Sequence, residues 1–138
     1  MASEPVEEEY ISDIGPPYFR DMLPPVIKNN YGKWKYHEVL KPGVLVHVAE
    51  SGDKVYTVRA ANPRLLSIYT IRELCDLADK YCDGYIRFTT RNNIEFLLTD
   101  ESKIDDLIKE VEELGFPIGG TWDATKAKYS LSNIVHTQ

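Results

Sequence analysis

Tyr85-Ile86-Arg87-Phe88-Thr89-Thr90-Arg91-Asn92-Asn93-Ile94-Glu95-Phe96-Leu97-Leu98-Thr99 sets two short β-prone runs on either side of a polar tripeptide. β-Branched and aromatic residues suit a pleated, half-buried surface, so 85–90 and 94–99 are predicted strands. Arg91-Asn92-Asn93 is the turn between them, because asparagine tolerates the positive φ of a tight hairpin. Helical patterns flank this unit. Before it, Ile71, Leu74, Cys75, Ala78, Tyr81 and Cys82 recur at three-to-four spacing, which predicts a helix over 70–82 with Thr70 and Glu73 as a capping box. After it, Ile104, Leu107, Ile108, Val111 and Leu114 form one apolar stripe, which predicts a helix over 101–114 between an Asp100 cap and Gly115.

Further out, Val44, Val46 and Val48 alternate, Ser51-Gly52-Asp53 turns, and Val55-Tyr56-Thr57-Val58 returns as a hairpin over 44–60. A last strand is expected near 129–135. The order β-α-β-β-α-β predicts an α+β fold, a ferredoxin-like half-domain. In it two helices cover one face of a four-stranded antiparallel sheet, and the other face stays free for a ligand or partner.

The chain has 138 residues, 43% of them hydrophobic, enough to bury a core without disulfides. A net charge of −6 argues against a general binder of nucleic acid or anionic membrane, which needs clustered Lys and Arg. No apolar run approaches the ~20 residues of a membrane span, and the acidic start is unlike a signal peptide. Residues 1–13 read as an acidic disordered leader. Residues 14–43 hold Pro16-Pro17, Pro24-Pro25 and Pro42 among Tyr18, Phe19, Met22, Tyr31, Trp34 and Tyr36. Proline pairs break regular structure, yet so much apolar surface needs cover. The segment reads as an ordered interaction arm packed on this domain or on another subunit, ahead of a domain over 44–138. Cys75 and Cys82 lie seven residues apart on one helix, ~10 Å between Cα atoms, too far for a disulfide. They read as two buried thiols of a cytoplasmic protein.

No nucleotide-binding glycine motif, metalloprotease motif or cysteine cluster is present, and His37, His47 and His136 are scattered. The informative residues are Arg87, Thr89 and Arg91, which strand alternation sends to one side. Two guanidinium forks around a hydroxyl suit an oxyanion or several carboxylates. The alternative is an exposed strand whose arginine pairs with Glu95. Gly119-Gly120-Thr121-Trp122 allows either close approach to a flat ligand or a simple turn, with Trp122 stacking on a ring, plugging a cavity or closing its own core.

Arg87-Phe88-Thr89-Thr90-Arg91-Asn92 resembles the ferredoxin-like half-domain motif of sirohaem-dependent sulfite and nitrite reductases. Residues 15–21, 31–38, 63–70, 119–123 and 131–138 resemble, more narrowly, the dissimilatory sulfite reductase beta-subunit family. The resemblance covers 14–138. It implies part of a six-electron reductase of sulfite, working as an α2β2 assembly with an alpha subunit and a small sulfur-carrier protein. It implies sirohaem, or an iron-free tetrapyrrole, and [4Fe-4S] clusters in the full enzyme, no metal ligand in this chain, and truncation before the iron–sulfur/sirohaem domain. Arg91 matches an oxyanion-contacting arginine. Arg87, Thr89, Asn92, Asn93, Thr121, Trp122, Asn133 and His136 would line the cofactor pocket. Ser132 stands where active members carry an arginine, and Trp122 where smaller residues are common, which implies a structural or obstructed half-site. The rival readings are a binding module, since Gly84–Phe88 faintly resembles an RNA-binding strand, and a cofactor-free subunit-interaction module.

Overall fold

The computed structural model describes residues 17–119. The leader, the expected strand near 129–135, and Thr121, Trp122, Ser132, Asn133 and His136 lie outside these residues. The elements run α1 (Pro25–Asn29), β1 (Trp34–Lys41), β2 (Val44–Ala49), β3 (Lys54–Ala60), α2 (Ile68–Tyr81), β4 (Ile86–Phe88), β5 (Ile94–Leu98) and α3 (Ile104–Glu113), with 3-10 turns at Phe19–Met22 and Glu101–Lys103. The strands form one antiparallel sheet in the order β1-β2-β3-β5-β4. This is the predicted α+β architecture, and among the described residues the sheet includes one strand, β1, that was not expected. Residues 34–41, read as part of the arm, pair with β2 along their length. Their mixed polar and aromatic sequence hides the strand because β1 is an edge and is exposed at nearly every position.

Alternation sorts the central strands. Val44, Val46, Val48, Tyr56, Val58, Ala60, Ile94, Phe96 and Leu98 face the helices and join Leu74, Leu77, Ala78, Ile104, Leu107 and Val111 in one core. Lys80 in α2 reaches Glu110 in α3 at 3.0 Å, and the Tyr56 hydroxyl donates to Glu101 at 3.1 Å. Asp100 caps the second helical segment by accepting from the Ser102 amide at 3.0 Å, as expected.

Two expectations for α2 need correction. Its cap is Ser67, whose hydroxyl accepts from the Thr70 amide at 3.2 Å, so the helix begins at Ile68 and Thr70 lies inside it. The two thiols are not alike: Cys82 is buried at the helix end while Cys75 is exposed. The buried stripe runs through Leu74, Leu77 and Ala78, and Cys75 sits off it. Burial, reinforced by Asp83, pushes the Cys82 thiol up to about 12.

The second face of the sheet is not wholly free. Val55, Thr57 and Leu97 point away from the core yet are buried, and Ile27 of α1 and Trp34 sit over them. The arm is pinned there by Asn30. Its side-chain amide donates to the Val26 carbonyl at 2.8 Å and to Asp53 at 2.9 Å, and its oxygen accepts from the Ser51 hydroxyl at 2.6 Å. Upstream of this clamp Tyr18, Phe19 and Met22 are exposed, and just after it so is Tyr31. Beyond α3, the Ala61 amide donates to the Pro117 carbonyl and the Gly119 amide to that of Arg59. Gly43 and Gly119, both at positive φ, meet backbone to backbone. A Cβ on Gly43 would lie 2.5 Å from the Gly119 nitrogen, and one on Gly119 2.7 Å from the Pro42 carbonyl carbon.

The cysteine environments give a direct test. Under native conditions an alkylating agent is expected to label Cys75 alone. Mass spectrometry should show Cys82 labelled only after denaturation; equal native labelling would contradict the burial described.

Candidate functional site

One row of side chains crosses three strands on the open face. Arg59 of β3, Glu95 of β5 and Arg87 of β4 are register partners. The Glu95 side chain is 0% exposed, while those of Arg59 and Arg87 are about half exposed. Arg59 Nε donates to one carboxylate oxygen at 2.6 Å and Arg87 Nη2 to the other at 2.5 Å. A buried carboxylate is tolerable only with such partners. The cross-strand pairing of Arg87 with Glu95 is therefore present, and it orients the Arg87 fork rather than removing it from use.

The β4–β5 turn completes the site. β4 ends at Phe88, so strand alternation does not carry Arg91 to the side of Arg87; the turn does. The Thr89 amide donates to the Asn93 carbonyl and the Asn92 amide to that of Thr89, both at 2.8 Å. Asn92 takes φ 62°, the left-handed conformation asparagine tolerates. Thr89 Oγ1 accepts from the Asn93 amide at 3.1 Å, so Thr89 braces the loop. Asn93 is buried, and its side-chain oxygen accepts from the Asn62 amide at 3.4 Å. Arg59, Arg87, Phe88, Thr89, Thr90, Arg91, Asn93 and Glu95 line a depression of about 510 Å³. Among the described residues, three guanidinium groups and one carboxylate line it, a local concentration of cations on a chain of net charge −6.

The sequence reading missed two residues. Arg59 carries the only charge within the inner run of its strand, on the face opposite the core, but its pairing depends on a register the sequence does not print. Asn62 reads as a strand end before Pro63. In the structure it is buried, its oxygen accepts from the Ile94 amide at 2.8 Å, and its amide donates to the Asn92 carbonyl at 3.1 Å. It stitches the turn to the end of β3. The histidines are less scattered than the sequence suggests, since His37 and His47 are cross-strand partners with ring centroids 5.8 Å apart. Burial lowers the His47 pKa; Glu95 opposes this, and His37, Arg87 and Arg59 add to it. Among the described residues, no group of three or more His, Cys, Asp or Glu side chains is gathered as for a metal ion.

Three outcomes are expected from these contacts. Replacing both Arg59 and Arg87 by Leu strands a buried carboxylate and should cost about 3–5 kcal/mol by denaturant titration. Glu95→Gln should cost less, because the half-exposed arginines keep water. Asn62→Ala should cost about 1–3 kcal/mol by orphaning the Ile94 amide. For His47 the folded-state pKa lies below the ordinary 6.5, so the unfolded chain protonates first. Its share of stability is present above that value and lost as pH falls through the window below it. His47→Asn should flatten that part of a stability–pH curve; an unchanged slope would contradict the assignment.

Residues 47–114 match the nitrite/sulfite reductase ferredoxin-like half domain. Over 134 residues, 96% of this chain, it is 72% identical to the dissimilatory-type sulfite reductase subunit beta of Archaeoglobus fulgidus, covering 37% of that protein. Identity to the subunit of the same name is 56% in Nitratidesulfovibrio vulgaris and 50% in Megalodesulfovibrio gigas, over 93% and 95% of this chain and 34% and 50% of those proteins. The chain thus spans between about a third and a half of the length of these relatives. The half-domain match and these identities show that the chain belongs to the family of dissimilatory-type sulfite reductase beta subunits.

Proposed function

We propose that this chain forms the part of a sirohaem-dependent dissimilatory sulfite reductase that presents arginines to a carboxylate-rich tetrapyrrole. The observation that carries the reading is the cationic depression of Arg59, Arg87 and Arg91 built around Glu95. Its donor chemistry fits the group. Guanidinium forks bind carboxylates in pairs of parallel hydrogen bonds, and a tetrapyrrole of the sirohaem type bears several carboxylates along its rim. The depression is shallow and open, so it would take the edge of a flat macrocycle rather than enclose it.

The roles of the chain's own residues follow from their contacts. Arg91, exposed on the turn, would hold a cofactor carboxylate or a sulfite oxygen. Arg87 and Arg59 are oriented beforehand by Glu95, so little side-chain freedom remains to be lost when an anion arrives. Glu95 offsets part of their mutual repulsion. Thr89, Asn92 and Asn93 would act chiefly by fixing the turn, with Asn62 behind them. Sirohaem, when bound, would hold sulfite and relay to it six electrons from an external reductant, which with six protons give sulfide and three waters.

The remaining parts of the proposal concern the assembly. The exposed aromatic arm around Asn30 is suited to an alpha subunit within an α2β2 complex. In it Arg20 lies 5.2 to 5.9 Å from the ring centres of Tyr18, Phe19 and Tyr31, the side-chain types favoured at interface hot spots. A small sulfur-carrier protein would meet the assembled enzyme in the cytoplasm. The cysteines for [4Fe-4S] clusters would come from other parts of the enzyme. Trp122, in a half-site where Ser132 replaces an arginine, would obstruct this pocket, leaving the substrate arginines of turnover to the alpha chain.

Two measurements test the proposal. The full-length subunit purified with its alpha partner should show the Soret and long-wavelength bands of an isobacteriochlorin, with tetrapyrrole content reduced in Arg91→Gln. Protein absorbance alone in the unsubstituted assembly would sink the reading. The 138-residue chain expressed without a partner should self-associate in sedimentation, since burying even a few of the arm's large apolar groups is worth ~1.5–3 kcal/mol each before entropy costs. A monodisperse monomer at high concentration would count against the arm's role.

A further inference from the structure

A second pocket lies on the same sheet face, on the other side of Arg87 from the turn. It measures about 190 Å³. Val55, Thr57 and Leu97 form its floor, Ile27 of α1 and Trp34 of β1 lie over it, and His47 and Arg87 complete its wall. Thr57 is 1% exposed, and its Oγ1 is, among the described residues, the one buried side-chain polar atom with no hydrogen-bond partner. Such a hydroxyl is unfavourable where it stands. Valine has nearly the same shape, and Val55 and Val58 occupy neighbouring positions of the strand without that penalty. An unmet hydroxyl facing a pocket implies that something fills the pocket and meets it.

We infer that this pocket binds a small oxyanion or short carboxylate, with Thr57 Oγ1 as its innermost contact. The side chains around the space are rich in donors: a threonine hydroxyl, a guanidinium, an imidazole and an indole. Both Glu95 oxygens are already engaged by Arg59 and Arg87, so the three groups together leave one positive charge beside the pocket. An acceptor-only, negatively charged guest matches that surplus of donors and charge. The apolar floor of Val55 and Leu97 admits a methyl-sized tail. The lowered pKa of His47 favours a neutral ring, which still donates one N–H. The site needs no tetrapyrrole and shares only Arg87 with the depression around Arg91, so it stands apart from the function proposed above.

The test is titration of the 138-residue chain with sodium sulfate and sodium acetate at constant ionic strength, read by calorimetry and by the thermal midpoint. A saturable component that depends on Thr57 is expected, separate from binding at the arginine depression. Thr57→Val should weaken it about tenfold, the equivalent of one good hydrogen bond to a charged group, with the fold intact by circular dichroism. Thr57→Ser, which keeps the hydroxyl, should retain binding, and it carries the comparison with Trp34→Phe should the valine variant not fold. Trp34→Phe should weaken the Thr57-dependent component, and Arg91→Gln should leave that component in place while reducing any binding at the arginine depression. Absence of saturable binding would overturn the inference and leave ordered water as the occupant. So would Thr57→Val binding as well as the unsubstituted chain. Loss of binding in Arg91→Gln with Thr57→Val unaffected would also overturn it, by placing the anion in the arginine depression.

Discussion

A carboxylate with no exposed surface sits at the centre of the sheet's second face, and much of the molecule answers to it. Glu95 is flanked by β3 on one side and β4 on the other. Its charge is tolerable only if a cation arrives from each neighbour at the same level along the strands. That requirement specifies register. A slip of β4 or β3 by one residue would take its arginine to the core face and leave the carboxylate unpaired. The strand pairs also bury Phe96 on the opposite face, so polar and apolar demands select the same alignment. Consistency of this kind makes one arrangement clearly preferred over its neighbours.

The same constraint makes the site. Arginines that hold a buried carboxylate cannot wander, so a cationic surface is built in before any ligand arrives. The turn that adds Arg91 is held by different means. Its shape comes from Asn92 in a left-handed conformation and from hydrogen bonds at Thr89 and Asn93, and its attachment comes from the Asn62 side chain. Charge fixes the strands and neutral amides fix the loop. On the far side of Arg87 the arm, clamped by Asn30, turns an otherwise open sheet face into a walled space. The half-domain match over 47–114 covers most of the sheet and both helices, but excludes α1 and β1, the elements that build that wall.

The legible part of this structure is the part governed by local pattern. Alternation of Val44, Val46 and Val48 and the stripe from Ile104 to Val111 located β2 and α3 because burial on one face writes a period into the sequence. β1 left no such trace, since an exposed edge strand has no face to bury. The start of α2 went astray because Thr70 with Glu73 has the form of a capping box, whereas the cap lies three residues earlier, at Ser67. In the site, Arg87 and Arg91 stood out through their residue type and through the family resemblance. Arg59 and Asn62 did not, because their importance lies in what is opposite them across a strand or turn some thirty residues away. The buried hydroxyl of Thr57 is the extreme case, since threonine is ordinary in strands and only its lack of a partner is informative.

The back-to-back contact of Gly43 with Gly119 also bears on the order of folding. These residues are far apart in the chain, one at the first hairpin bend and the other beyond the last described helix, and loop closure over such a span is slow relative to hairpins and helices. The β2–β3 hairpin and α2 can form while the C-terminal part is still being synthesised. The seam beside Arg59 cannot, since Ile118 and Gly119 must first leave the ribosome. Until then the end of β3 lacks its covering segment, and the Ala61 amide and Arg59 carbonyl lack the partners they find in Pro117 and Gly119. A nascent chain is therefore most vulnerable to wrong pairing along this short edge, and two residues without side chains let the seam close tightly once the segment arrives.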